Sequence, residues 1–116
     1  MKVIEKPWGF EEIIEHNDFY AFKKLGMNKS HKCSVQYHKV KRETVYLVSG
    51  VLKLYIGGTE DGLDSDVIIM KPGRSITIDP GVIHRMEAVE DSIYLEASTP
   101  ELDDVVRLKD EYNRVG

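Results

Sequence analysis

Four side chains in this 116-residue chain have the types and spacing to hold one metal ion: Gln36, His38, Glu43 and His84. The first three form Gln-x-His-x4-Glu inside a β-rich run, residues 35–50. Residues two apart on a strand face the same way, so Gln36 and His38 share a face. Glu43 follows a charged loop, residues 39–42, and can return to that face from a neighbouring strand. His84 comes three residues after Gly81, behind the turn Asp79-Pro80-Gly81, at the start of another strand. Imidazole nitrogen and carboxylate oxygen suit zinc foremost, with manganese, iron or nickel as alternatives, at about 2.0–2.2 Å for zinc. Gln36 would add a neutral amide oxygen. One anionic ligand would leave a divalent ion net positive charge with which to polarise a substrate oxygen. His16, in a polar turn, and His31, near Lys29 and Lys32, lack such neighbours and are expected on the surface.

The elements that must position these groups read as strands. Pro7 and Gly9 mark an opening turn. Residues 10–15 and 19–27 then form two strands joined at Asn17-Asp18. Further strands are expected over residues 33–37, 44–48, 51–56, 66–70, 75–78, 84–89 and 92–97. The pair 44–48 and 51–56, separated by Ser49-Gly50, is expected to make a hairpin. Strands recurring roughly every 8–12 residues between Gly and Pro turns predict an all-β antiparallel sandwich or barrel. Residues 57–65 form a polar loop with three glycines, without the lysine and helix of a phosphate-binding loop. After Pro100, the acidic and apolar residues 101–108 predict a short C-terminal helix. Trp8 is expected in core or interface packing, with sugar stacking as the minor alternative.

The bulk numbers bound the class. At 116 residues the chain reads as one domain, residues 1–116, with 41% hydrophobic and 31% charged residues. A net charge of −4 provides no basic field, so nucleic acid is not an expected partner. No apolar run approaches the ~20 residues of a membrane span. Residues 1–7 lack the apolar core of a signal peptide. The single cysteine, Cys33, cannot form an internal disulfide and fits a reducing compartment, and with no targeting signal in the sequence a cytoplasmic location is expected.

These residues also resemble the cupins. The first cupin motif reads G-x5-H-x-H-x3,4-E-x6-G, and Gln36-x-His38-x4-Glu43-x6-Gly50 matches its later part. Gln36 stands where most cupins have the first histidine, and Ser30 where they have the leading glycine. The second motif, G-x5-P-x-G-x2-H-x3-N, corresponds to Gly73, Asp79, Gly81, His84 and Ala88; Asp79 and Ala88 depart, while Pro80 keeps the turn. Lys6-Pro7-Trp8-Gly9, Ser34-Val35-Gln36-Tyr37-His38 and Pro80-Gly81-Val82-Ile83-His84-Arg85 are similar to the C-terminal cupin domain of type II mannose-6-phosphate isomerases. So is Asp103-Asp104-Val105-Val106-Arg107-Leu108-x-Asp110-x-Tyr112-x-Arg114. That family commonly reads Gln-x-His-His-His-Arg-x-Glu, where this chain has Lys39, Val40 and Lys41. Type I mannose-6-phosphate isomerases also use Gln-x-His, a glutamate and a later histidine, with a lysine where Lys41 stands.

The resemblance implies a double-stranded β-helix of jelly-roll type, with one divalent metal on Gln36, His38, Glu43 and His84. It implies a sugar-phosphate isomerase of the mannose 6-phosphate and fructose 6-phosphate type. Such chemistry needs a Lewis acid, a base for the C–H proton and cations for the phosphate. Lys41 would serve as acid/base or phosphate ligand, Glu96 as base, and Arg85 and Arg107 as phosphate ligands. Surface or ion-pair duty is the plainer role for each of the four. A homodimer through residues 1–15, Trp8 included, is also implied. The alternatives are a non-catalytic cupin that binds a sugar or nucleotide sugar, and another metal-dependent cupin enzyme, an epimerase or an iron-dependent dioxygenase. In the type II family the domain is usually fused to a mannose-1-phosphate guanylyltransferase, which these 116 residues do not contain.

Overall fold

Alternation of buried and exposed side chains sorts the chain into strands with one face inward. In the segment Glu43–Ser49, the side chains of Glu43, Val45 and Leu47 are buried, while Tyr46 and Val48 face solvent. Ser92–Ser98 repeats the pattern with Ser92, Tyr94, Glu96 and Ser98 buried. Thr44, Val45, Tyr46 and Val48 in the first, and Ile93 and Tyr94 in the second, are the β-branched and aromatic types that suit a half-buried pleated surface.

The computed structural model describes residues 2–58 and 66–109. They contain eleven strands: β1 (Lys2–Lys6), β2 (Gly9–His16), β3 (Ala21–Met27), β4 (Val35–Tyr37), β5 (Glu43–Ser49), β6 (Leu52–Ile56), β7 (Asp66–Met70), β8 (Ser75–Ile78), β9 (His84–Ala88), β10 (Ser92–Ser98) and β11 (Val106–Lys109). A six-stranded sheet runs β1-β2-β3-β10-β5-β8 and a five-stranded sheet runs β11-β4-β9-β6-β7. All pairings are antiparallel. This is the expected all-β jelly roll. Leu47, Leu52, Leu54, Met70 and Ile78 are fully buried between the sheets. No helix among the described residues is long and apolar enough to cross a membrane.

Three expectations change. The segments 44–48 and 51–56 are adjacent in sequence but do not pair: β5 bonds to β8 and β10, and β6 to β7 and β9. Gly50, at φ +92°, carries the chain from one sheet to the other. A Cβ there would meet Ser92 Oγ at 2.3 Å and Asp91 O at 2.4 Å. Residues 101–108 hold no helix. A turn at Leu102-Asp103 leads into β11, where Arg107 lies opposite Gln36 on β4. The β-branched pair Val105-Val106 favours extended backbone, and the Asp104 carboxylate binds a distant loop instead of capping a helix. Residues 2–6 form an additional edge strand, β1. Most of the expected polar loop, residues 59–65, lies outside the described residues, as do Asp110, Tyr112 and Arg114.

Candidate functional site

His38, Glu43 and His84 come from three places in the fold and converge inside it. Glu43 opens β5, His84 opens β9, and His38 follows β4 directly. The Gly81 N–H, in a turn held at φ +83°, donates to His38 O at 2.7 Å and so joins two ligand segments. The donor atoms of the triad all lie within 4.8 Å of one another and all three residues are buried.

Each histidine is oriented by a backbone carbonyl. His38 Nδ1 lies 2.5 Å from Asp104 O, and His84 Nδ1 lies 2.9 Å from Val82 O. A carbonyl oxygen only accepts, so each Nδ1 carries a proton and donates to that carbonyl, which leaves the Nε2 of each ring turned to the cavity. Those nitrogens stand 3.1 Å (His38) and 3.4 Å (His84) from Glu43 Oε1. Metal bonds of about 2.0–2.2 Å place neighbouring ligand atoms roughly 2.8–3.6 Å apart between octahedral and tetrahedral angles, so both nitrogen-to-carboxylate spacings fit an ion. Gln36 supports the fit: it lies directly opposite His84 across the β4–β9 pair and lines the same cavity. Its amide nitrogen is 3.7 Å from Cys33 Sγ.

The cavity, about 340 Å³, extends from the triad toward β1, β2 and the 102–107 segment. Lys41 Nζ lies 3.5 Å from Glu43 Oε2 and 3.6 Å from Glu96 Oε2. From Glu96 the ion pairs continue to Lys23 at 3.8 Å, from Lys23 to Glu11 at 2.7 Å, and from Glu11 to Lys6 at 3.7 Å. Burial disfavours charge on Glu43, yet hydrogen bonds from His38 and His84 hold its carboxyl well below the usual range. Burial also opposes charge on Lys41, but Glu96 and Glu43 raise its pKa above the ordinary lysine value. Burial, followed by the charge of Glu43, pushes the Glu96 carboxyl up to about 8. Lys41 is therefore an ammonium at neutral pH, and Glu96 is predominantly a neutral acid when no metal balances Glu43.

The expected substrate residues divide. Arg107 lines the cavity, and its buried Nε has no hydrogen-bond acceptor among the described residues. Arg85 alternates with His84 on β9 and does not line the cavity; its Nε donates to Cys33 O at 2.8 Å. The geometry therefore does not carry a phosphate role for Arg85. Trp8, buried in the core of its own chain, also lines the cavity, so its side chain is not on an outer surface. His16 is exposed, in line with expectation, while His31 is half-buried.

Two cavity residues, Glu11 and Lys23, were not expected there. Their signal is the inward phase of their strands: Lys23 sits between buried Ala21 and Leu25, two residues away on each side. A charge at that phase demands a buried partner.

The Cupin domain profile matches residues 25–97. Mannose-1-phosphate guanylyltransferase of Escherichia coli (strain K12) is 30% identical over 122 residues, covering 97% of this chain and 23% of that protein. A protein of the same name from Salmonella montevideo is 27% identical, again over 23% of its length. The chain thus spans under a quarter of the length of the curated relatives it matches. The solved structure of KdgF from Halomonas sp. superposes with a TM-score of 0.76 at 15% identity, over 89% of this chain and 91% of that one, a likeness of fold. With well over half of its residues matched by that family profile, on two sheets of this topology, the chain belongs to the cupin family.

Proposed function

We propose that the cavity is the active site of a metal-dependent isomerase that interconverts a phosphorylated aldose and ketose, of the mannose 6-phosphate and fructose 6-phosphate type. The observation that carries this reading is the buried Lys41–Glu96 pair, 3.6 Å apart, in the same cavity as the His38, Glu43 and His84 triad. Isomerisation moves one proton between neighbouring carbons and one between their oxygens, so a carboxyl and an ammonium side by side supply what it needs. The E. coli relative, a mannose-1-phosphate guanylyltransferase, supports a sugar-phosphate substrate class.

His38, Glu43 and His84, with Gln36 as the fourth ligand, would hold the divalent ion, zinc foremost and manganese, iron or nickel within the same donor set. When bound, such an ion would supply a Lewis acid at the sugar oxygens. Glu96, as carboxylate, takes the proton from C2 of the aldose and returns it to C1. Lys41 gives a proton to O1 as the C2–H bond breaks and takes one back from the O2 hydroxyl, so both proton transfers are accounted for. Arg107 binds the phosphate, whose oxygens complete the buried guanidinium. A cytoplasmic homodimer belongs to the same reading.

Calorimetry and turnover on a panel of hexose phosphates and nucleotide sugars test the assignment. Interconversion of one aldose–ketose pair is expected. Tight binding without turnover would instead assign a non-catalytic sugar-binding cupin, and oxygen consumption by iron-loaded protein would assign a dioxygenase.

A further inference from the structure

The acidic stretch before β11 has no part in the reaction just described, yet one of its residues touches the ligand loop through four hydrogen bonds. The Asp104 carboxylate accepts the backbone N–H of Lys39 at 3.0 Å on Oδ1, and those of Val40 at 2.7 Å and Lys41 at 2.9 Å on Oδ2. Its own carbonyl accepts His38 Nδ1 at 2.5 Å. Three successive N–H groups on one carboxylate fix the backbone that runs from His38 to Lys41, and the carbonyl fixes the His38 ring. The segment is held in turn by β11, where Arg107 pairs with Gln36, itself opposite His84.

We infer that Asp104 is a positioning residue: it sets both the His38 ligand and the Lys41 ammonium from a strap more than sixty residues away in sequence. The inference rests on the metal reading for its consequence, but the contact itself does not depend on a metal. Lys39 and Val40 are exposed side chains on an open loop, where amides ordinarily exchange with solvent freely. Here their N–H groups are closed by one side chain.

The test compares the unaltered protein with Asp104→Ala, and with Asp104→Asn in case the alanine variant fails to fold. Thr44→Ala serves as control, because Thr44 Oγ1 bonds Thr77 Oγ1 on the outer face, away from the cavity. Hydrogen exchange of the residue 39–41 amides, read on metal-free protein, should accelerate at least tenfold in Asp104→Ala and be unchanged in Thr44→Ala. Zinc affinity, read by competition with a chelating indicator, should fall about 10–100-fold in Asp104→Ala, less in Asp104→Asn, and not in the control. Unchanged exchange in a folded Asp104 variant overturns the inference, as does unchanged zinc affinity. If the unaltered protein takes no zinc, the metal reading fails, and the exchange data alone decide the role of Asp104.

Discussion

Lys41 Nζ lies 3.6 Å from Glu96 Oε2, and both side chains are buried. The same ammonium reaches Glu43 Oε2 at 3.5 Å, so one cation joins the carboxylate proposed to hold the metal to the carboxyl proposed to move the proton. Removing it while keeping its volume separates the two roles. Lys41→Met should retain stoichiometric metal and lose at least ~100-fold in kcat/KM for sugar-phosphate interconversion, as loss of an acid/base group typically does. Metal analysis and steady-state rates on one preparation check this. Full activity in Lys41→Met would remove Lys41 from the mechanism.

Glu96 makes the metal-free protein sensitive to pH. Burial, then the charge of Glu43, raises its folded-state pKa from 4.5 to about 8, so the folded chain holds a proton that the unfolded chain releases. That contribution to stability is fully present below the unfolded value and is lost as pH rises through about 8. Thermal unfolding of chelator-treated protein should show Tm falling over this window. Glu96→Gln, which keeps a neutral group at that position, should flatten the fall and abolish turnover. An identical slope in the variant would show that another group titrates.

Arg107 lines the cavity, and its buried Nε has no hydrogen-bond acceptor among the described residues. A charged hydrogen bond to phosphate is worth about 1.5–3 kcal/mol, which corresponds to roughly tenfold to a hundredfold in binding. Arg107→Ala should raise KM for the sugar phosphate by that factor, weaken inhibition by inorganic phosphate in parallel, and change kcat little. Equal inhibition of both proteins by phosphate would place the anion elsewhere.

Gly50 and Gly73 have nearly the same backbone, φ +92° and +93°, but different surroundings. A Cβ at Gly73 has nothing within 4 Å, whereas one at Gly50 meets Asp91 O at 2.4 Å. Both alanine variants carry the cost of a left-handed residue, about 1–3 kcal/mol. Gly50→Ala should exceed Gly73→Ala because backbone must also move. Urea unfolding midpoints give the comparison, and equal losses would mean that the crossing between sheets tolerates a shift.

The convergence of His38, Glu43 and His84 is legible in the sequence because the spacing is local: two residues from Gln36 to His38, a short loop, and a turn ahead of His84. Period two also separates His84 from Arg85: adjacent on β9, they face opposite ways, and only His84 lines the cavity. Pairing was harder. β5 and β6 look like a hairpin because they are adjacent and rich in β-formers, but the sheet in which each lies is decided by closure of the whole sandwich. Glu11 and Lys23 were passed over because a charge on an amphipathic strand reads as solvated unless its phase is followed. The residues before β11 carried a helix signal, but Asp104 serves the loop at Lys39, Val40 and Lys41 instead.

Interconversion of mannose 6-phosphate and fructose 6-phosphate by protein stripped with a chelator, and again after one equivalent of zinc, tests the central claim most directly. The account predicts no turnover in the stripped protein, recovery on zinc addition, and no recovery in His38→Ala, which lacks a ligand. Stoichiometric zinc on the unaltered protein with neither sugar phosphate converted would contradict it.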